Sequence, residues 1–340
     1  MKNRSTTSSN IVLTSLAAAT ALTLIIWLTA GNLAARFDVV NEKYFAFYYP
    51  WQTRNPSAMA YVTAWVGYAL HNVLAWVVIY LARREQPKYK QEFRWFNWAM
   101  LGINGAFFAL HWLQTQLWYD GLAIAVPEVT SQGSVILMLV IILILEAPRR
   151  GLILGKKVRF HQRFIRFFRE YHSYIFTWGI IYTFWYHPME NTFGHLAGFF
   201  YMFLLFAQST LLFNRTHLNK YWTFALEAAV LVHGTTVAIF QGIGLWPMFF
   251  FGFGAMIILT QIYGLGLKPK VIRAISIAFV AGATLFYLLS NNLPGLNEVI
   301  RIPVIEFGLV GVFYLIFLAG NGIAGLLTRS KQTAVSAGDL

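Results

Sequence analysis

The densest polar cluster in the chain is the segment His187-Pro188-Met189-Glu190-Asn191-Thr192-Phe193-Gly194-His195. Two imidazoles and a carboxylate are ligands of first-row metals, and a tight turn could bring His187, Glu190 and His195 onto one divalent ion such as iron or zinc. Pro188 cannot continue a helix interior without losing a hydrogen bond, while Asn191 or Thr192 can cap the helix that follows. The segment therefore reads as a helical hairpin. A plainer reading has its polar groups meeting the membrane interface and capping a helix.

Upstream, Asn97, Asn104 and His111 recur at intervals of seven, with Gln114 and Thr115 one turn further. Such spacing puts them on nearly one helical face. The stripe either hydrogen-bonds neighbouring helices or delivers His111 as a fourth metal ligand or a general base. Downstream, Glu227 and His233 are candidates to relay protons, which completes a catalytic set of His111, Glu227 and His233. These last two lie about 120° apart around a helix and need not touch. Glu227, in an apolar stretch, is either a proton-handling group or is held by a cationic or hydrogen-bonding partner from another helix.

His71 and His233 sit near the middle of two different apolar runs, where two imidazoles could ligate one haem iron axially. They could equally be hydrogen-bonded structural residues. No run carries two well-separated histidines, so a two-haem wire is not expected. Glu146 precedes Pro148 and Arg149 and should pair with a nearby cation. Glu306 is expected to snorkel outward, and neither acid is expected at a site.

These residues must be positioned by membrane helices. Of the 340 residues, 58% are hydrophobic and 11% charged, against roughly 25% charged in soluble domains. A water-soluble enzyme is excluded. A bilayer core needs about 20 apolar residues per helix, and ten runs approach that length, at 11–33, 58–82, 95–118, 131–147, 173–187, 192–213, 221–243, 246–264, 271–290 and 302–327. The fourth and fifth are short and should be tilted or lengthened by their flanks. The predicted fold is an all-α polytopic transmembrane bundle of about ten helices.

All but four of the 26 Lys and Arg residues fall on alternate connections if the N-terminus is cytoplasmic; the exceptions are Arg36, Lys43, Arg54 and Arg301. This positive-inside asymmetry predicts an N-in, C-in topology, in a bacterial inner (plasma) membrane. It also explains the net charge of +13 without nucleic acid, and predicts contact with anionic headgroups on the cytoplasmic face. In segment 148–172, basic residues alternate with Phe160, Phe164, Phe167 and Phe168, the pattern of an amphipathic helix lying in the interface. The aromatic segment from Tyr44 to Trp51 reads as an outer belt. Residues 1–10 are expected as a cytoplasmic segment, 11–327 as one transmembrane domain with an uncleaved first helix, and 328–340 as a disordered tail.

With no cysteine, thiol catalysis and thiolate metal sites are excluded. No nucleophile elbow, phosphate loop, dinucleotide fingerprint or His-Glu-x-x-His helix occurs, and no half-to-half repeat is visible. Three functional readings follow. One is a metal- or haem-binding protein, an oxidoreductase or lipid-modifying enzyme, acting near the outer leaflet on a lipid, quinone or other hydrophobic substrate. Another is a proton- or cation-coupled transporter or channel using the same buried His and Glu residues. The last is an assembly protein whose polar residues only join helices.

Overall fold

The computed structural model describes residues 2–40 and 52–338, with side chains for residues 8–40 and 52–323. The aromatic segment Tyr44 to Trp51, and Lys43 with it, lie outside the described residues. The described chain is all-α, in the order α1 (Lys2–Thr29), α2 (Leu33–Arg36), α3 (Ala58–Arg84), α4 (Trp95–Trp118), α5 (Glu128–Arg150), α6 (Gln162–Tyr186), α7 (Phe193–Thr210), α8 (Lys220–Gln241), α9 (Trp246–Leu259), α10 (Pro269–Leu289) and α11 (Glu298–Gly338). No strand forms among the described residues; three isolated bridges are all there is.

Each of the ten apolar runs coincides with a long helix, and the short fourth and fifth are lengthened by their flanks into α5 and α6. Seven segments are long and apolar enough to cross a membrane, and they draw on α1, α3, α5, α8, α9, α10 and α11. The other three, α4, α6 and α7, are kept out of that set by composition. α4 alone buries Asn97, Asn104, His111, Gln114 and Thr115.

The surface is built as lipid requires. Along α3, Val62, Leu70, Val73 and Val77 are exposed, while Ala60, Ala64, His71, Ala75 and Ile79 are buried. In water the large apolar residues would turn inward. Here small and polar residues face the neighbours, where they allow close approach and hydrogen bonding.

Local chemistry sets the helix ends. Ser57 caps α3 by accepting from the Ala60 amide at 3.1 Å, and Asn219 caps α8 through the Tyr221 amide at 2.9 Å. Gly242, at φ +69°, ends α8 in the left-handed region, which costs a glycine nothing sterically. The helices pack in two main groups: α1, α3, α4, α6 and α7 share the largest apolar core, and α5, the start of α6, α9 and α11 share a second.

One expectation is corrected. Residues 162–172 do not form a separate interfacial helix; they are the first turns of α6, with Phe164, Ile165 and Phe168 buried against α11. Phe164, which could have met acyl chains, meets Tyr314 and Phe317 instead, at 5.1 and 5.3 Å, while Phe167 stays exposed. α11 is described as far as Gly338.

Candidate functional site

The hairpin between α6 and α7 forms as its sequence implies. His187 leaves α6 in an extended conformation, and Thr192 is the N-cap position of α7. The Thr192 hydroxyl does not cap the backbone, however; it bonds His195 Nδ1 at 2.6 Å. The turn is fastened to α4, since the Met189 amide donates to Thr115 Oγ1 at 3.1 Å.

The four candidate metal ligands do not share one centre. His111 Nε2 lies 2.9 Å from the His187 carbonyl oxygen and donates to it, because a carbonyl only accepts. Its ring packs on Trp185 at 4.4 Å and Phe184 at 4.8 Å. Glu190 is turned toward the chain, accepting from the Asn191 amide at 2.7 Å. Burial lifts this loop carboxyl above the ordinary carboxylate range, and the Asn191 amide and Tyr119 hydroxyl draw it part of the way back. Among the described residues, no group of three or more His, Asp or Glu is arranged to hold a metal ion.

The haem pairing of His71 with His233 is not assembled either. His71 Nδ1 accepts from Trp185 Nε1 at 3.3 Å, and Nε2 lies 3.1 Å from Asn104 Oδ1. Phe107 and Phe206 cover the two ring faces in near-parallel stacks at 4.4 and 5.5 Å. Neither nitrogen is left for an iron. The seven-residue stripe on α4 is helix-joining chemistry: Asn104 Nδ2 donates to Thr210 Oγ1 at 3.4 Å, and Asn97 Nδ2 donates to the Thr210 and Leu212 carbonyls at 2.7 and 2.9 Å.

A different grouping emerges around α8. A cavity of about 390 Å³ lies among α5, α6, α7, α8, α9 and α11, and His187, His195, His233, Gln241 and Glu306 line it. The rest of its wall is largely apolar, including Ile136, Phe199, Val230, Phe253 and Ile302. The His187 and His195 rings are 5.8 Å apart, and His233 lines the cavity with them. His187 Nδ1 lies 3.1 Å from the Thr183 carbonyl and donates to it, so Nε2 is the basic nitrogen of that ring. The His233 ring fits against α7 because residue 198 is glycine; a Cβ there would stand 3.1 Å from His233 Cε1. His233 Nδ1 is buried without a hydrogen bond.

Glu227 has the cationic partner that its position calls for. Arg150 Nη1, from the end of α5, lies 2.7 Å from Glu227 Oε2, and both side chains are buried. Glu227 thus turns toward α5, while His233 on the same helix faces the cavity. Glu146 pairs with Arg149 one turn before, as expected.

Glu306 is the residue that sequence reasoning misplaced. It does not snorkel: it is 4% exposed and lines the cavity. The sequence offered no signal for it: Ile302 and Val310, one turn to either side on the same face, are apolar like most of the residues on the other faces. Arg150 and Gly198 were also missed, because their importance arises from other helices.

A second, larger groove of about 840 Å³ lies between α1, α4 and α7, with Trp98, Phe108 and Trp112 on its walls. Its buried polar residues Asn104 and Thr210 bond to each other, so it presents chiefly apolar surface.

Length, apolar surface and helix content together place the chain among integral membrane helical bundles. Comparison with protein-family models, with curated proteins and with solved structures finds no match to it.

Proposed function

We propose that the protein is a proton-coupled membrane transporter whose solute passes through the cavity among α5, α6, α7, α8, α9 and α11. The observation that carries this reading is the sequence of ionisable groups across that half of the bundle. His187, His195 and His233 line the cavity, with the first two rings 5.8 Å apart; Glu306 lines the same cavity; and the Arg150–Glu227 and Arg149–Glu146 ion pairs stand at the basic end. Ionisable residues are costly in a membrane and commonly mark ion and proton pathways. A metal-centred oxidoreductase or lipid-modifying enzyme has less support, because among the described residues no set of three or more His, Asp or Glu converges.

The wall of the cavity indicates the class of solute. A mostly apolar pocket with a few convergent polar groups suits a hydrophobic molecule bearing one or two hydrogen-bonding atoms, such as a quinone or a small lipid. With the N-terminus inside, the basic end meets anionic headgroups of the cytoplasmic leaflet of a bacterial inner membrane, and the histidines lie toward the outer leaflet.

The test is charge movement. Proteoliposomes adsorbed on a solid-supported membrane are subjected to a proton-concentration jump, with protein-free liposomes as the control. A transient displacement current above the control is expected, reduced in a His195→Phe, His233→Phe double variant. Identical currents with and without protein would overturn the reading.

A further inference from the structure

The cluster at the inner end of the cavity is unbalanced. Arg150 places Nη1 on Glu227, while its Nη2 is buried with no partner. Glu306 is a buried carboxyl that lines the cavity, on α11, which packs directly against the α5 helix that carries Arg150. An unpaired guanidinium edge and a buried carboxyl are complementary, and each is expensive to leave alone in a low-dielectric interior. Of the other elements packed here, α7 brings Tyr201 to the same cavity, with its hydroxyl donating to the Leu226 carbonyl at 2.9 Å. α9, the main neighbour of α11, carries no ionisable residue. α5 contributes Arg150 with the Glu146–Arg149 pair beyond it, and α8 contributes Glu227, with His233 further along the cavity.

Two carboxylates facing one guanidinium leave one negative charge unmatched, and a proton is what balances it. We infer that Glu306 is the proton-binding carboxyl of the pathway and that Arg150 is its alternating partner, an inference that rests on the proton-coupled reading above. When Glu306 is ionised, its carboxylate accepts from Arg150 Nη2 and the guanidinium bridges both acids. When Glu306 takes a proton from the cavity side, an O–H bond forms, the contact to Nη2 is released and Arg150 remains with Glu227 alone. Release toward the basic end restores the first state. No other bond is made or broken, and no oxidant or reductant takes part. The proton site is thus a switch with two arrangements of the same three side chains, placed where the cavity meets the ion pair.

The experiment is pH-difference infrared spectroscopy of the full-length protein in lipid, with the displacement current measured on the same samples. Wild type should show a protonated-carboxyl C=O band that is lost in Glu306→Gln and retained in His195→Phe, and the current should be lost in Glu306→Gln. Glu306→Asp, which keeps a carboxyl one methylene shorter, should retain the band at a shifted frequency; it decides the matter if the glutamine variant does not fold. A band unchanged in both Glu306 variants, or a current of wild-type size in Glu306→Gln, overturns the inference. A band that depends on Glu306 in a protein that gives no current supports the proton site while sinking the transporter reading, so the two failures are separable.

Discussion

Arg150, the last residue of α5, reaches across the bundle to place Nη1 2.7 Å from Oε2 of Glu227 near the start of α8, and both side chains are almost completely shielded. It pairs the α5–α6 side of the cavity with the α8–α9 side.

Removing one member of this pair should cost far more than removing both. A buried guanidinium left without its counter-charge destabilises by about 3–5 kcal/mol, whereas replacing a buried pair by apolar residues of similar volume is often neutral. Glu227→Ala should therefore lower the unfolding temperature in detergent sharply, and Glu227→Leu combined with Arg150→Met should recover most of it. Additive losses in the double variant would show that the pair carries no coupling energy.

Gly67 lies against the Trp185 indole, and a Cβ at that position would fall 2.2 Å from the ring. Since Trp185 also donates to His71, Gly67→Ala should displace the indole and break that bond. Overpacking of this kind costs about 1–3 kcal/mol. A thermal melt indistinguishable from wild type would contradict the packing.

Gly198→Ala is the gentler counterpart. Its Cβ would stand 3.1 Å from His233 Cε1, a distance that a shift of the imidazole can relieve. We expect near-normal stability but a displacement current reduced severalfold. An unchanged current would remove His233 from the pathway.

The pH dependence of stability should carry a contribution from Glu190. Its carboxyl is raised above the ordinary range, chiefly by burial, so the folded state holds the proton more tightly than the unfolded one. That contribution is fully present below the unfolded value of about 4.3 and declines as pH rises through the folded value. Glu190→Gln, which keeps an acceptor for the Asn191 amide, should flatten part of this decline in a series of thermal melts. Asp120 is raised by burial as well, with Thr53 opposing it through its hydroxyl and amide, so some slope should persist. An identical slope in the variant would rule Glu190 out as its source.

Legibility in the sequence followed the range of each interaction. The Glu146–Arg149 pair spans three residues of one helix and could be read directly. The α6–α7 hairpin could be read too, because Pro188 and the residues after it act on their own backbone. Phe164 and Phe168 were ambiguous in principle: a ring beside arginines serves equally at a lipid interface or against another helix, and only the position of Tyr314 and Phe317 decides. The partner of Glu227 lies 77 positions away, beyond any local pattern. Glu306 was obscured by its helix, which is so uniformly apolar around it that no face declares itself inward.

The environment of His71 restricts what its position can accept. It holds a flat ring between two phenyl groups, with an indole N–H entering at one edge and an amide oxygen at the other. Phenylalanine supplies the plane without either bond, tyrosine adds a hydroxyl at the wrong place, tryptophan brings a donor but no acceptor, and asparagine and glutamine have no ring to stack. Imidazole alone among the side chains combines an aromatic plane with a donor and an acceptor on separate ring atoms. Position 71 should therefore be nearly intolerant of substitution, and a library randomised there and selected for folded protein should return histidine.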